Sequence, residues 1–206
     1  VAPTLSQLVK RMHPTDPSQP LGERLKGTNL YLVGMMGSGK STVGPLLAEA
    51  LGYRFLDADA VISQAAGCSI PEIFERDGEA GFRSLERQVL QQLSQWHSLV
   101  VATGGGIVTV PANWGELRQG VVIWLDVAEE ELLRRLQADP GGRPLLTGED
   151  PAAKLRHLLE RRQPLYAQAD LHLTAYGEDA SGISQRVLKE LPALLKVPDA
   201  PQTTAP

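Results

Sequence analysis

The chain has 206 residues, which at roughly 100–200 residues per domain is one domain with loose ends. Hydrophobic residues make up 42% and charged residues 21%, ordinary globular usage that excludes global disorder and collagen-like repeats. Lys plus Arg number 20 against 24 Asp plus Glu, a net charge of -4, so no overall basic field favours a nucleic acid partner.

Residues 1–26 carry Pro3, Pro14, Pro17 and Pro20 and read as a flexible extension. Asn29–Val33 is the first expected strand. It runs into Gly34-Met35-Met36-Gly37-Ser38-Gly39-Lys40-Ser41-Thr42, where a helix opens at Lys40. Strand, G-x-x-x-x-G-K-S/T and helix together are the context of a loop that cradles the phosphates of a nucleotide. Its glycines, among them Gly37 and Gly39, let the backbone turn its N–H groups inward, and the helix adds the positive end of its dipole. Lys40 is placed to reach the β- and γ-phosphates and Ser41 to ligate Mg²⁺, with Ser38 and Thr42 completing an ATP-binding loop.

The second strand, Arg54–Asp57, ends in Leu56-Asp57-Ala58-Asp59. Two carboxylates at the carboxyl end of a strand suit an acceptor hydroxyl and metal-bound water; Asp59 equally suits the cap of the helix that begins there. Further helices are expected from Pro71 and from Ala80. In the latter, Glu86 falls within the apolar stripe Phe82, Leu85, Val89, Leu93 and Trp96, with Arg83 one turn back. A charged pair there forms a buried bridge or faces a polar cleft. The third strand, Leu99–Thr103, runs into Gly104-Gly105-Gly106, where missing side chains allow either ligand contact with backbone N–H groups or a flexible exit.

Val121–Asp126 and Leu171–Thr174 complete five strands, with helices from Ala128, Pro151 and Asp179. This alternation is the α/β pattern of a parallel sheet flanked by helices. Arg143 stands in the turn-rich segment Asp139–Asp150, read as a mobile lid, and Arg162 precedes Gln163-Pro164-Leu165-Tyr166. Residues 198–206 are proline-rich and read as a disordered tail. No apolar run approaches the roughly 18–20 residues of a membrane-spanning helix. The lone Cys68 cannot pair within the chain, and the four histidines lack zinc-ligand spacing.

Taken in order, Gly34–Thr42, Leu56-Asp57-Ala58-Asp59, Phe82-Arg83 with Glu86, Gly104–Gly106, Arg143-Pro144-Leu145-Leu146 and Arg162 before Pro164-Leu165-Tyr166 resemble the shikimate kinase family. The resemblance spans about Lys26 to Lys196, within a domain drawn at 27–197. It implies a three-layer phosphate-loop (P-loop) NTPase fold with strand order 2-3-1-4-5, and ATP- and Mg²⁺-dependent phosphorylation of the shikimate 3-hydroxyl in the route to chorismate and aromatic amino acids. It further implies that Arg83 and Arg162 bind the substrate carboxylate, that Asp59 binds ring hydroxyls and assists deprotonation, and that Gly105 adds a backbone contact. Asp57 would sit in the magnesium shell beside Ser41, Glu86 would steady Arg83, and Phe74 with Phe82 would wall the ring. Arg143 would approach the transferring phosphate, and Arg135, with Arg134 as the alternative, would pack on adenine. The expected protein is a cytoplasmic monomer, plastidial in a plant or alga, with shikimate and ATP as its small-molecule partners and neither nucleic acid nor membrane. Against this stand another small-molecule kinase of the same fold acting on gluconate or a nucleoside monophosphate, a catalytically dead binding protein, and a regulatory nucleotide switch.

Overall fold

The computed structural model describes residues 19–138 and 150–195. The expected lid with Arg143, most of the N-terminal extension and the C-terminal tail therefore lie outside the described residues. Strands β1 (Leu30–Val33), β2 (Arg54–Asp57), β3 (Leu99–Ala102), β4 (Val121–Asp126) and β5 (Leu171–Thr174) form one sheet in the order β2-β3-β1-β4-β5. All pairs are parallel, which is the expected fold and order.

Eight helices accompany the sheet among the described residues: α1 (Leu21–Arg24), α2 (Lys40–Leu51), α3 (Ala58–Ala66), α4 (Ile70–Leu93), α5 (Asn113–Leu117), α6 (Glu129–Ala138), α7 (Pro151–Tyr166) and α8 (Ala180–Leu194). Side chains alternate across a strand, so β1 feeds two cores. Leu30 and Leu32 pack with Val43, Leu47, Val187 and Leu191 from α2 and α8. Tyr31 and Val33 pack on the other face with Ile62, Ile73, Phe82 and Leu90 from α3 and α4. Both faces being covered, β1 and β3 are buried at every residue, which is why they read as unbroken apolar runs. Leu32 is in register with Ala102 on one side and Ile123 on the other. β1 and β3 thus end within one residue of each other and β4 runs two residues further, and the loops that leave them open on a common edge.

Three details differ from the expectations. Packed structure begins before residue 27, because α1 forms a helical turn and Leu25, 2% exposed, joins the core under α2. The helices expected from Pro71 and Ala80 form one element, α4, broken at Gly78 with φ 70° and ψ -176°. Its start is a reciprocal cap in which Ser69 and Glu72 satisfy each other's backbone N–H groups. Finally, α3 begins at Ala58, and its N-cap is Asp57, whose carboxylate accepts from the N–H groups of Asp59 and Ala60. The capping role considered for Asp59 belongs to Asp57, freeing the Asp59 side chain from that task.

Candidate active site

The donor half of the site is built from backbone. Gly34, Gly37 and Gly39 have φ of +142°, +80° and +92°, conformations that L side chains resist, so the chain coils tightly between β1 and α2. Gly39 caps α2 without any side-chain hydrogen bond, which leaves the first-turn N–H groups and the helix dipole to an anion. Lys40 is buried at 8% exposure. Its Nζ donates to the carbonyls of Gly34 and Met35, both at 2.9 Å, and to Ser38 Oγ at 3.3 Å. These bonds hold the ammonium across the loop.

The loop opens on a cavity of about 490 Å³ lined by Gly37–Val43, by Asp57, Asp59, Thr103 and Gly105 at one end, and by Arg135, Leu136 and Glu178–Ala180 at the other. Ser41 Oγ donates to Asp57 Oδ2, so a hydroxyl and a carboxylate meet beside the loop. Arg135 donates to Gly37 O at 3.1 Å and to Glu131 at 2.7 Å. Arg134 pairs with the same Glu131 but points into solvent, its side chain 69% exposed. Of the two arginines weighed for the adenine, the structure places Arg135 on the cavity wall.

The acceptor half is built from side chains brought together by α3, α4, α7 and the loop after β3. Glu86 is 1% exposed and accepts from Arg83 Nη1 at 2.7 Å, while Arg83 Nη2 donates to Glu79 at 3.1 Å. Burial pushes the Glu86 carboxyl above its ordinary range despite the opposing pull of Arg83. Burial also works against the Arg83 charge, but Glu86 and Glu79 outweigh it and hold the guanidinium above its usual value. Glu86 Oε1 is buried with no hydrogen-bond partner among the described residues, so of the two arrangements expected for the pair the structure shows the buried bridge. The Phe74 and Phe82 rings lie 4.7 Å apart beside it.

The glycine run explains how these charges fit. None of Gly104, Gly105 and Gly106 has positive φ, so backbone freedom is not the reason for glycine. A Cβ on Gly104 would lie 2.6 Å from Glu86 Oε1 and 3.1 Å from Asp59 Oδ1, and one on Gly106 would lie 2.1 Å from Arg83 Nη2. A Cβ on Gly105 would meet Met36 N at 3.3 Å, Gly34 O at 3.4 Å and Arg162 Nη1 at 3.6 Å. The three missing side chains make room for two carboxylates, the phosphate loop and two guanidinium groups in turn.

Arg162 is 4% exposed, and Tyr166, on the same face of α7 one turn later, is 1% exposed. The Tyr166 hydroxyl donates to the Gly105 carbonyl, and its ring stacks on Trp124 at 5.8 Å. Burial raises the Tyr166 phenol to about 12, so at neutral pH it keeps the proton that it donates to Gly105. Sequence reading assigned Tyr166 no role, although its i+4 spacing from Arg162 was the available signal. Glu79, four residues before Arg83, was missed in the same way. Arg143 lies outside the described residues.

A phosphate loop at the carboxyl edge of a 2-3-1-4-5 sheet, with a polar acceptor cleft beside it, defines a small-molecule phosphotransferase of the P-loop class. Residues 36–192 match the family model for shikimate kinase. Shikimate kinase of Synechococcus sp. (strain RCC307) is 87% identical over 195 residues, 95% of this chain and 100% of that one. Shikimate kinase of Synechococcus sp. (strain CC9605) is 60% identical over 91% of this chain and 94% of its own. Among solved structures, shikimate kinase from Acinetobacter baumannii in complex with shikimate superposes with a TM-score of 0.81 at 42% identity, covering 85% of this chain and 98% of that one. The chain belongs to the shikimate kinase family, and its activity is the ATP-dependent phosphorylation of shikimate.

Proposed function

We propose that the chain transfers the γ-phosphoryl group of ATP to the 3-hydroxyl of shikimate, with Arg83 and Arg162 clamping the acceptor carboxylate and Asp59 orienting the hydroxyl. The observation that carries this reading is the meeting of both halves at Gly105, whose Cα faces phosphate-loop atoms and the Arg162 guanidinium at once. A small anionic polyol needs a guanidinium fork for its carboxylate and an acceptor for its hydroxyl, both within reach of the loop that holds the phosphates.

Lys40 and the loop amides stabilise the charge that spreads over the phosphoryl oxygens, which in this chemistry outweighs acid–base assistance. Asp59 accepts the hydrogen bond of the attacking hydroxyl and sets its direction. Glu86 fixes the Arg83 fork, and Tyr166 fixes the Gly105 carbonyl. Ser41 and Asp57 offer adjacent hard oxygen ligands, one hydroxyl and one carboxylate, a donor set that fits Mg²⁺ and leaves its other positions to phosphates and water. When bound there, the ion would neutralise charge on the β- and γ-phosphate oxygens. Arg135 contacts the nucleoside, and Arg143 contributes from the segment outside the described residues. The protein acts as a cytoplasmic monomer.

ADP release from ATP and Mg²⁺ is the test, with shikimate compared against gluconate and nucleoside monophosphates, and the product's phosphorus–proton coupling read by NMR. Turnover with shikimate alone and coupling to the C3 proton is expected. Turnover with another acceptor only, or coupling at another carbon, overturns the acceptor assignment.

A further inference from the structure

The donor cavity has a wall that neither the phosphate loop nor the acceptor residues build. Phosphates occupy the loop in its middle and the acceptor opens at the Asp59 and Gly105 end, so the remaining end, lined by Arg135, Glu178, Asp179 and Ala180, is left for the nucleoside. Glu178 and Asp179 belong to the turn that joins β5 to α8.

That turn is anchored at both ends: Ala175 N–H donates to Asp126 O at 2.8 Å, and Asp179 caps α8 by accepting from Gly182 N at 2.8 Å. Between the anchors it bends at Gly177, with φ +86°, and Tyr176 is 79% exposed, so no core holds it. What closes it is Arg186, which does not line the cavity. Its guanidinium donates to Thr174 O at 2.9 Å and to the Glu178 carboxylate, and it lies 5.5 Å from the Tyr176 ring. The Glu178 carboxylate in turn accepts from Tyr176 N at 2.8 Å. A single guanidinium nitrogen, Nη1, therefore ties the last residue of β5 to the start of the wall, while the guanidinium carbon lies against the ring at the tip of the turn.

We propose that Arg186 is the positioning residue for the nucleoside wall: it keeps the β5–α8 turn closed, so that Glu178, Asp179 and Ala180 stand in place before the nucleotide arrives. This rests on the reading of the cavity as the ATP site. An ion pair whose side chains are 34% and 22% exposed adds little to global stability, whereas a turn left loose must be ordered by the ligand at a cost in affinity.

The test is isothermal titration of ADP and, separately, of pyrophosphate into the full chain and its Arg186→Ala, Arg186→Lys and Lys40→Ala variants, alongside thermal melts and the KM for shikimate. Pyrophosphate engages the loop but not the nucleoside wall. Arg186→Ala is expected to weaken ADP by about 5- to 20-fold, with pyrophosphate affinity and the shikimate KM within about twofold and the melting temperature little changed. Arg186→Lys should fall between the two. Unchanged ADP affinity in Arg186→Ala overturns the proposal, as does equal weakening of ADP and pyrophosphate, which marks general damage. Lys40→Ala should weaken both ligands; if it weakens neither, the ATP-site reading falls and the proposal with it.

Discussion

The two halves of the cleft use glycine for opposite reasons. In the donor half, Gly37 and Gly39 are needed for their left-handed backbone, and a Cβ on Gly39 would meet nothing closer than Arg135 Nη1 at 3.6 Å. In the acceptor half, Gly106 sits at an ordinary φ of -97°, yet a Cβ there would lie 2.1 Å from Arg83 Nη2. The first half is a backbone device contained in nine consecutive residues. The second is a side-chain device assembled from four segments, in which absent atoms make room for charges. The difference teaches that a phosphate site can be specified by local conformation, whereas a site for a small anionic polyol requires charges held at fixed positions across the fold.

The sharpest way to break the donor half is Lys40→Ala, which removes the cation proposed to stabilise the developing charge. A fall in kcat of at least about 10²–10³-fold is expected, with the KM for shikimate close to that of the parent; a kcat within tenfold would place the decisive charge elsewhere. Arg162→Ala breaks the acceptor half instead. Loss of one charge-assisted contact of about 2–3 kcal/mol raises the shikimate KM roughly 30- to 150-fold, and steady-state kinetics with varied shikimate should show kcat less affected.

The glycine pair sharpens the comparison directly. Gly106→Ala should displace the Arg83 fork and raise the shikimate KM about tenfold while sparing that of ATP. Gly39→Ala carries a backbone cost of about 1–2 kcal/mol and should weaken ATP while sparing shikimate. If both variants shift the same KM, the two halves are not separable as described.

The smallest effect concerns the support beneath the acceptor half. Tyr166→Phe removes the hydroxyl that donates to Gly105 and should cost about 1 kcal/mol of stability in denaturant titration. The native phenol holds its proton up to about 12, whereas an unfolded tyrosine releases it near 10. The native state therefore binds more protons in that window, so stability falls as pH rises from roughly 10 towards 12. The parent's advantage over Tyr166→Phe should therefore shrink and then reverse across this range in denaturation curves, and parallel pH slopes would count against a buried phenol.

By itself the sequence determined the sheet, because the three inner strands β1, β3 and β4 are short apolar runs whose burial on both faces leaves a local signature, and the less buried edge strands β2 and β5 alternate with helices around them. It determined the phosphate loop for the same reason, since the required glycines, lysine and helix start are contiguous. Only the tertiary structure decided that Asp57 rather than Asp59 caps α3, because the two carboxylates are chemically alike and differ in what stands opposite each. It alone separated Arg135 from Arg134, which share Glu131 but face the loop and the solvent respectively. It joined Arg83 to Glu86 as a buried bridge, and it turned Gly104–Gly106 from a flexible exit into packing space for charges. These are contacts among residues distant in the chain. Spacing along a sequence records which residues share a face, but which atoms fill the space opposite that face is settled only when the segments pack.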